Sequence, residues 1–160
     1  MFEEKDIAKL CFAALNLKGN GGSFIFYDSD KIGVWAQPAI ALAVKAGLIH
    51  GYTDGSFRPK EKLSRMEQAT LLSRASRLIG SYEANLPHAV LSERGDVPER
   101  GISYVSFVTE QHVMEWRGDN RFEPQAAVTR AEAIVSLLTL IEYHRQPVNG
   151  NEGPYIDRLA

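Results

Sequence analysis

Cysteine is nearly absent: Cys11 stands alone, which excludes a disulfide framework and a cysteine-built metal site. Long apolar runs are missing too. No stretch approaches the roughly 18 consecutive apolar residues of a membrane span, so insertion into a bilayer is not expected. The opening "MFEEKDIAKL" is acidic where a secretion signal would be basic, leaving either a cytoplasmic chain or a mature segment whose signal has been removed. Excess charge is equally scarce, since a formal net charge of -2 over 160 residues gives no field to gather nucleic acid or an anionic membrane.

Catalytic and metal-binding patterns are wanting as well. His50, His88, His112 and His144 lie in dissimilar contexts, and the helical spacing of His112 and Glu115 supplies two ligands where zinc needs more. "DSDKIG" (28–33) opens like a calcium loop, but Ala39 occupies the twelfth position, where a bidentate glutamate is required. No glycine-rich phosphate loop, nucleophile elbow or His–Cys pairing occurs. No enzyme, metal or cofactor is therefore expected.

What the chain does contain is a repeat. "DGSFRPKEKLSRMEQATLL" (54–72) returns 65 residues later, without a gap, as "DNRFEPQAAVTRAEAIVSL". Aligning 39–80 with 104–145 pairs Asp54 with Asp119, Phe57 with Phe122, Pro59 with Pro124, Arg65 with Arg130, Glu67 with Glu132 and Leu72 with Leu137. Three- and four-residue apolar spacing predicts a helix through Ile40, Ala43, Val44 and Leu48, and a second through Leu71, Leu72, Ala75, Leu78 and Ile79. In the second unit Ile134, Leu137, Leu138 and Ile141 are expected to line one inward face. Ile7, Leu10, Cys11, Ala14 and Leu17 predict a further helix ended by Gly19. "FIFY" (24–27) reads as a short extended piece, 18–23 and 80–98 as irregular linkers, and 147–160 as a tail with no order of its own unless something docks it.

"SRME" (64–67) and "TRAE" (129–132) each fit a capping box, which accounts for Ser64, Thr129, Glu67 and Glu132. Arginine is not accounted for, because a cation in the first turn opposes the macrodipole at about 0.3–1 kcal/mol. Two readings stand: an internal ion pair with Glu67 or Asp54, or an anionic ligand held jointly by helix-start amides and a guanidinium. On the ligand reading Arg65→Ala leaves stability unchanged or slightly improved. Asp54-Gly55 signals a turn, and Phe57 and Phe122 read as core plugs.

Taken in order, "FYD" (26–28), "WA" (35–36), "AI" (39–40), "GLIHG" (47–51), "DGSFRP" (54–59) and "LSRME" (63–67) resemble an S-layer homology domain. The resemblance continues more weakly over 96–145, through "GDNRFEP" (118–124) and "VTRAE" (128–132), with Arg100 where the family's tryptophan would lie. Residues 4–17 resemble only a closing helix, with Glu4 at the arginine position. This resemblance implies an all-α fold: helix–loop–helix repeats in a pseudo-threefold arrangement with grooves between them. Here the first repeat is incomplete: a half repeat 4–17, a full repeat 26–79 and a divergent repeat 96–145 within one domain, 1–146. It further implies anchoring of an extracellular protein to the bacterial cell surface through secondary cell-wall polysaccharide, often pyruvylated. Carried over residue by residue, the family's arginines fall on Arg65 and Arg130 and its turn residues on Asp54, Gly55, Gly118 and Asp119.

Sugars stack on aromatic faces, so Trp35 and Trp116 join the candidate glycan-binding residues, Trp35 being expected in the core and Trp116 in a polar turn. Tyr52 and Arg117 hold equivalent positions and are candidate groove walls. The partner expected is cell-wall polysaccharide, without nucleic acid. The alternative is a structural or protein-interaction module of the same fold that has lost its glycan, and the incomplete repeat leaves a homo-oligomer or domain-swapped dimer open.

Overall fold

The computed structural model describes residues 23, 25–79, 97–118 and 121–145. The half repeat 4–17, the linker 80–96, Asp119 and the tail 147–160 lie outside them. Four α-helices follow in order: α1 (Gln37–Lys45), α2 (Arg65–Ile79), α3 (Ile102–Glu110) and α4 (Arg130–Arg145). Short 3-10 turns at Ser29–Lys31 and Glu99–Gly101 precede α1 and α3. The fold is all-α, and each repeat is an opening helix, a long loop and a closing helix. Ile25 and Phe26 have no regular structure, so "FIFY" is not a strand where it is described.

Local chemistry sets the helix ends. Pro38 lies in the first turn of α1, where its missing amide costs nothing, and α1 stops at Gly47, whose φ of 73° is open to glycine. His112 adopts φ 54° at the equivalent place after α3. Further along, Arg58 and Glu123 repeat a second left-handed position at φ 57° and 53°. Two loops of different sequence therefore share two left-handed positions.

Phe57 and Phe122 are both fully buried, and Phe26 stacks on Phe57 at 5.4 Å. Each such ring contributes up to about 3 kcal/mol through removal from water. The second repeat is docked onto the first through α2, which packs against α3 and α4. Ser64 and Ala127 form an antiparallel bridge, and Val128 donates to Leu63 O at 2.9 Å.

Three expectations fail on packing. Trp35 is 54% exposed, its indole lying over Gly33 instead of entering the core. Leu78, near the end of α2, is at the surface. On α4, Leu137 and Leu140 face inward while Ile134 and Leu138 are exposed. The buried face, through Ala133, Ser136, Leu137 and Leu140, is about a quarter turn away from the one that periodicity alone selects, because α4 is apolar on nearly every side.

Candidate functional site

The helix-start arginines have opposite fates. Arg65 is 3% exposed: its Nε donates to Phe122 O at 2.7 Å and its Nη2 to Glu115 O at 2.6 Å, both in the second repeat's loop. Its guanidinium also lies over the Phe122 ring, 4.7 Å from the centroid. The acid that approaches it is Glu132 at 3.5 Å, not Glu67 or Asp54. Nor are the neighbouring amides open to an anion: Arg65 N donates to Ala126 O and Met66 N to Pro124 O, each at 2.9 Å. Glu67 N donates to the Ser64 hydroxyl and Ser64 N to the Glu67 carboxylate, the two bonds of a capping box. Arg130, by contrast, is exposed, and among the described residues it makes no ion pair.

Glu132 is the centre of a charged cluster. One oxygen accepts from Arg117 Nη2 at 2.7 Å and, more loosely, from Arg65, while the other accepts the Thr129 amide at 2.8 Å. Arg117 also reaches Glu123 at 2.9 Å. Partial burial would raise the Glu132 carboxyl, but the Thr129 amide and Arg117 outweigh it and hold it below its ordinary value. Burial first, and repulsion from Arg117 second, push the Arg65 guanidinium down, with Glu132 opposing.

This cluster floors an open cleft of about 500 Å³ between the start of α2 and the second repeat. Arg65, Gln68, Trp116, Arg117, Glu132 and Ser136 are among its walls. Trp116 is half-buried, its ring edge-on to Phe122 at 6.1 Å. Gln68 is wholly buried and donates to the Ser136 hydroxyl, while its own carbonyl oxygen has no hydrogen-bond partner.

A second cleft, of about 450 Å³, is built from the matching positions of the first repeat. Tyr52 stands where the other cleft has Arg117, Gly51 where it has Trp116, and Glu67 where it has Glu132. Tyr52 donates its hydroxyl to Glu67 at 2.6 Å, so the wall-to-acid contact is kept with a neutral donor. Arg74, Arg100 and Tyr104 complete this cleft. Tyr52 and Arg117 thus both form groove walls.

The turn candidates are placed elsewhere. Asp54 bonds the Ser56 hydroxyl and amide and Arg58, and Gly55 sits at φ 80° beneath Tyr27. Neither residue lines these two clefts, nor do Gly118 and Trp35. Asp28 has a role that its calcium-like context concealed: its two carboxylate oxygens accept the amides of Phe57 and Arg58 at 2.8 Å each. The alternation of acids in "DSDKIG" carries no sign of a clamp formed 29 residues away. Among the described residues no three His, Cys, Asp or Glu side chains converge on a metal position. No described helix is long and apolar enough to cross a membrane.

The comparisons with known proteins agree with this architecture. The S-layer homology domain model matches residues 25–69 and 95–134, together more than half of the chain. A cellulosome-anchoring protein of Acetivibrio thermocellus is 30% identical over 144 residues, covering 89% of this chain and 31% of the relative. An amylopullulanase of Thermoanaerobacterium thermosulfurigenes is 31% identical over 130 residues, covering 80% of this chain and 7% of the relative. A surface-layer 125 kDa protein of Lysinibacillus sphaericus is 29% identical over 117 residues, covering 72% of this chain and 9% of that protein. The chain thus spans about a third or less of these relatives.

Proposed function

The chain belongs to the S-layer homology domain family, and on that footing we propose that it is a non-catalytic carbohydrate-binding module that anchors a protein at the bacterial cell surface. Its ligand is a secondary cell-wall polysaccharide bearing acidic groups, a pyruvate ketal among them. One observation carries this: the cleft at the repeat junction sets the Trp116 ring beside the Arg65 and Arg117 guanidiniums. A pyranose ring stacks on the indole, and a carboxylate meets the paired cations, whose mutual repulsion an added anion relieves. Arg65 Nη1 reaches Glu132 at only 3.5 Å, so that end of the fork keeps a donor for a ligand oxygen. The unpartnered Gln68 carbonyl in the same wall suits a sugar hydroxyl. The names of a cellulosome-anchoring and a surface-layer relative accord with an extracellular station.

Co-sedimentation with purified Gram-positive sacculi tests the proposal, with and without acid extraction of secondary polymers. Binding that is lost on extraction and in a Trp116→Ala/Arg117→Ala variant that still melts cooperatively, well above the assay temperature, supports it.

A second reading rests on a different observation. Two of the three nitrogens of Arg65 are already committed to backbone carbonyls of the neighbouring repeat, as a purely structural arginine would be. A protein-interaction module of this fold would bind no sacculus before or after extraction.

A further inference from the structure

The outer stripe of α4 is apolar and open: Ile134 is 38%, Val135 62% and Leu138 60% exposed. Its counterpart on α2 is closed. Ala69 and Ser73, 65 residues earlier, are 0% and 4% exposed, because α3, the opening helix of the following repeat, lies over α2. The Ser73 hydroxyl donates to Tyr104 O in α3, fixing the register. Ile134 and Leu138 therefore stand where a closing helix is met by the next opening helix, and no described element meets them. Exchanging the small residues of α2 for Ile and Leu increases the apolar area that water must contact if the face stays bare, so a cover is favoured.

The chain outside the described residues contains a segment of the required kind. Opening helices read "QPAIALAV" (37–44) and "ISYVSFVT" (102–109), with Ile40, Ala43, Val105 and Val108 fully buried. Residues 153–160, "GPYIDRLA", fall in the same register: Pro154 at Pro38, Tyr155 at Tyr104, Ile156 at Ile40 and Val105, Leu159 at Ala43 and Val108. Ile156 and Leu159 share a helical face, and Asp157 and Arg158 occupy the other. The reach suffices. Leu138 is seven residues before the end of α4, about 10 Å along the axis, and the nine residues 146–154 can span up to about 30 Å.

We propose that residues 154–160 dock on Ile134 and Leu138 of α4 as the start of a third opening helix. The inference is independent of the glycan reading.

Cross-linking the full chain tests it. In a Cys11→Ser background, Leu138→Cys is paired with Tyr155→Cys or Ile156→Cys, and Arg130→Cys with Ile156→Cys serves as the control. Air oxidation is expected to give a disulfide within a monomer for at least one Leu138 pair, at several times the control yield. A disulfide formed only between chains would assign the face to a second copy, and a yield no higher than the control would leave it bare; either overturns the proposal. Single Leu138→Asp and Ile156→Asp variants should each lower the melting temperature by several degrees, and the double variant by no more than the larger single effect. An unchanged melting temperature for Leu138→Asp also overturns it.

Discussion

Arg65 Nε and the carbonyl oxygen of Phe122 are 2.7 Å apart, joining the first turn of one repeat's closing helix to the loop of the next. Against the macrodipole cost of about 0.3–1 kcal/mol stand two charge-assisted bonds, each contributing about 1.5–3 kcal/mol. The bonds outweigh the dipole.

Arg65→Ala is therefore expected to destabilise by about 3 kcal/mol, because the Glu115 and Phe122 carbonyls lose their donors together. Calorimetry should show a melting temperature lower by about 6–12 °C. This reverses the sign that the ligand reading of the sequence expects. Arg130→Ala, at an exposed position, should change stability by less than about 0.5 kcal/mol. Equal effects at the two arginines would refute the assignment.

Acid should expose the Asp28 clamp. Partial burial raises this carboxyl, but the amides of Phe57 and Arg58 prevail and hold it below its ordinary 3.8. A carboxyl depressed in the folded state contributes stability above its unfolded value and loses it as pH falls through the folded one. Asp28→Asn removes this contribution, so the variant should be about 1–3 kcal/mol less stable at pH 7, with the gap narrowing below pH 4. Urea midpoints at pH 7 and pH 3 give the comparison, and a gap independent of pH would show that the charge contributes nothing.

Helical repeats, capping boxes and the two phenylalanine plugs were legible because each follows from local sequence. Ser64 and Glu67 need only each other to declare a helix start, and Phe57 and Phe122 are the large apolar residues of otherwise polar loops. The partner of Arg65 was not legible, since it is backbone: the Phe122 carbonyl lies 57 residues away and any residue type could supply it. Trp35 misled for a related reason. Its place ahead of an amphipathic helix suggests burial, but at the turn Gly33–Ala36 the ring lies back over Gly33 and stays largely exposed. Periodicity also fails on α4, whose apolar residues surround the axis and leave the inward face to be chosen by packing.

Gly51 illustrates how the two clefts diverge. Its φ is 69°, and a Cβ there would stand 2.5 Å from the Phe26 ring and 2.8 Å from Ser56 O. Gly51→Ala should cost about 1–3 kcal/mol through combined strain and overpacking. The matching position of the other loop holds Trp116, which is tolerated because that backbone does not turn left-handed there. A thermal melt of Gly51→Ala within a degree of the parent would contradict the geometry.

Arg117 offers the cleanest separation of binding from folding. It is partly exposed and pairs with Glu123 and Glu132, so Arg117→Ala should cost about 1 kcal/mol or less in stability. A carboxylate-bearing glycan in the cleft would lose a charge-assisted bond, and with it about tenfold in affinity. Trp116→Ala should weaken the same ligand through lost stacking while keeping the salt dependence that the Arg117 contact confers. Titration of wall polysaccharide at low and high ionic strength separates the two effects. Affinity that falls with salt in the parent and falls less steeply in Arg117→Ala, where Arg65 remains, places the acidic group at this guanidinium. Affinity unchanged by either substitution would move the ligand away from the repeat junction, to the Tyr52 cleft of the first repeat.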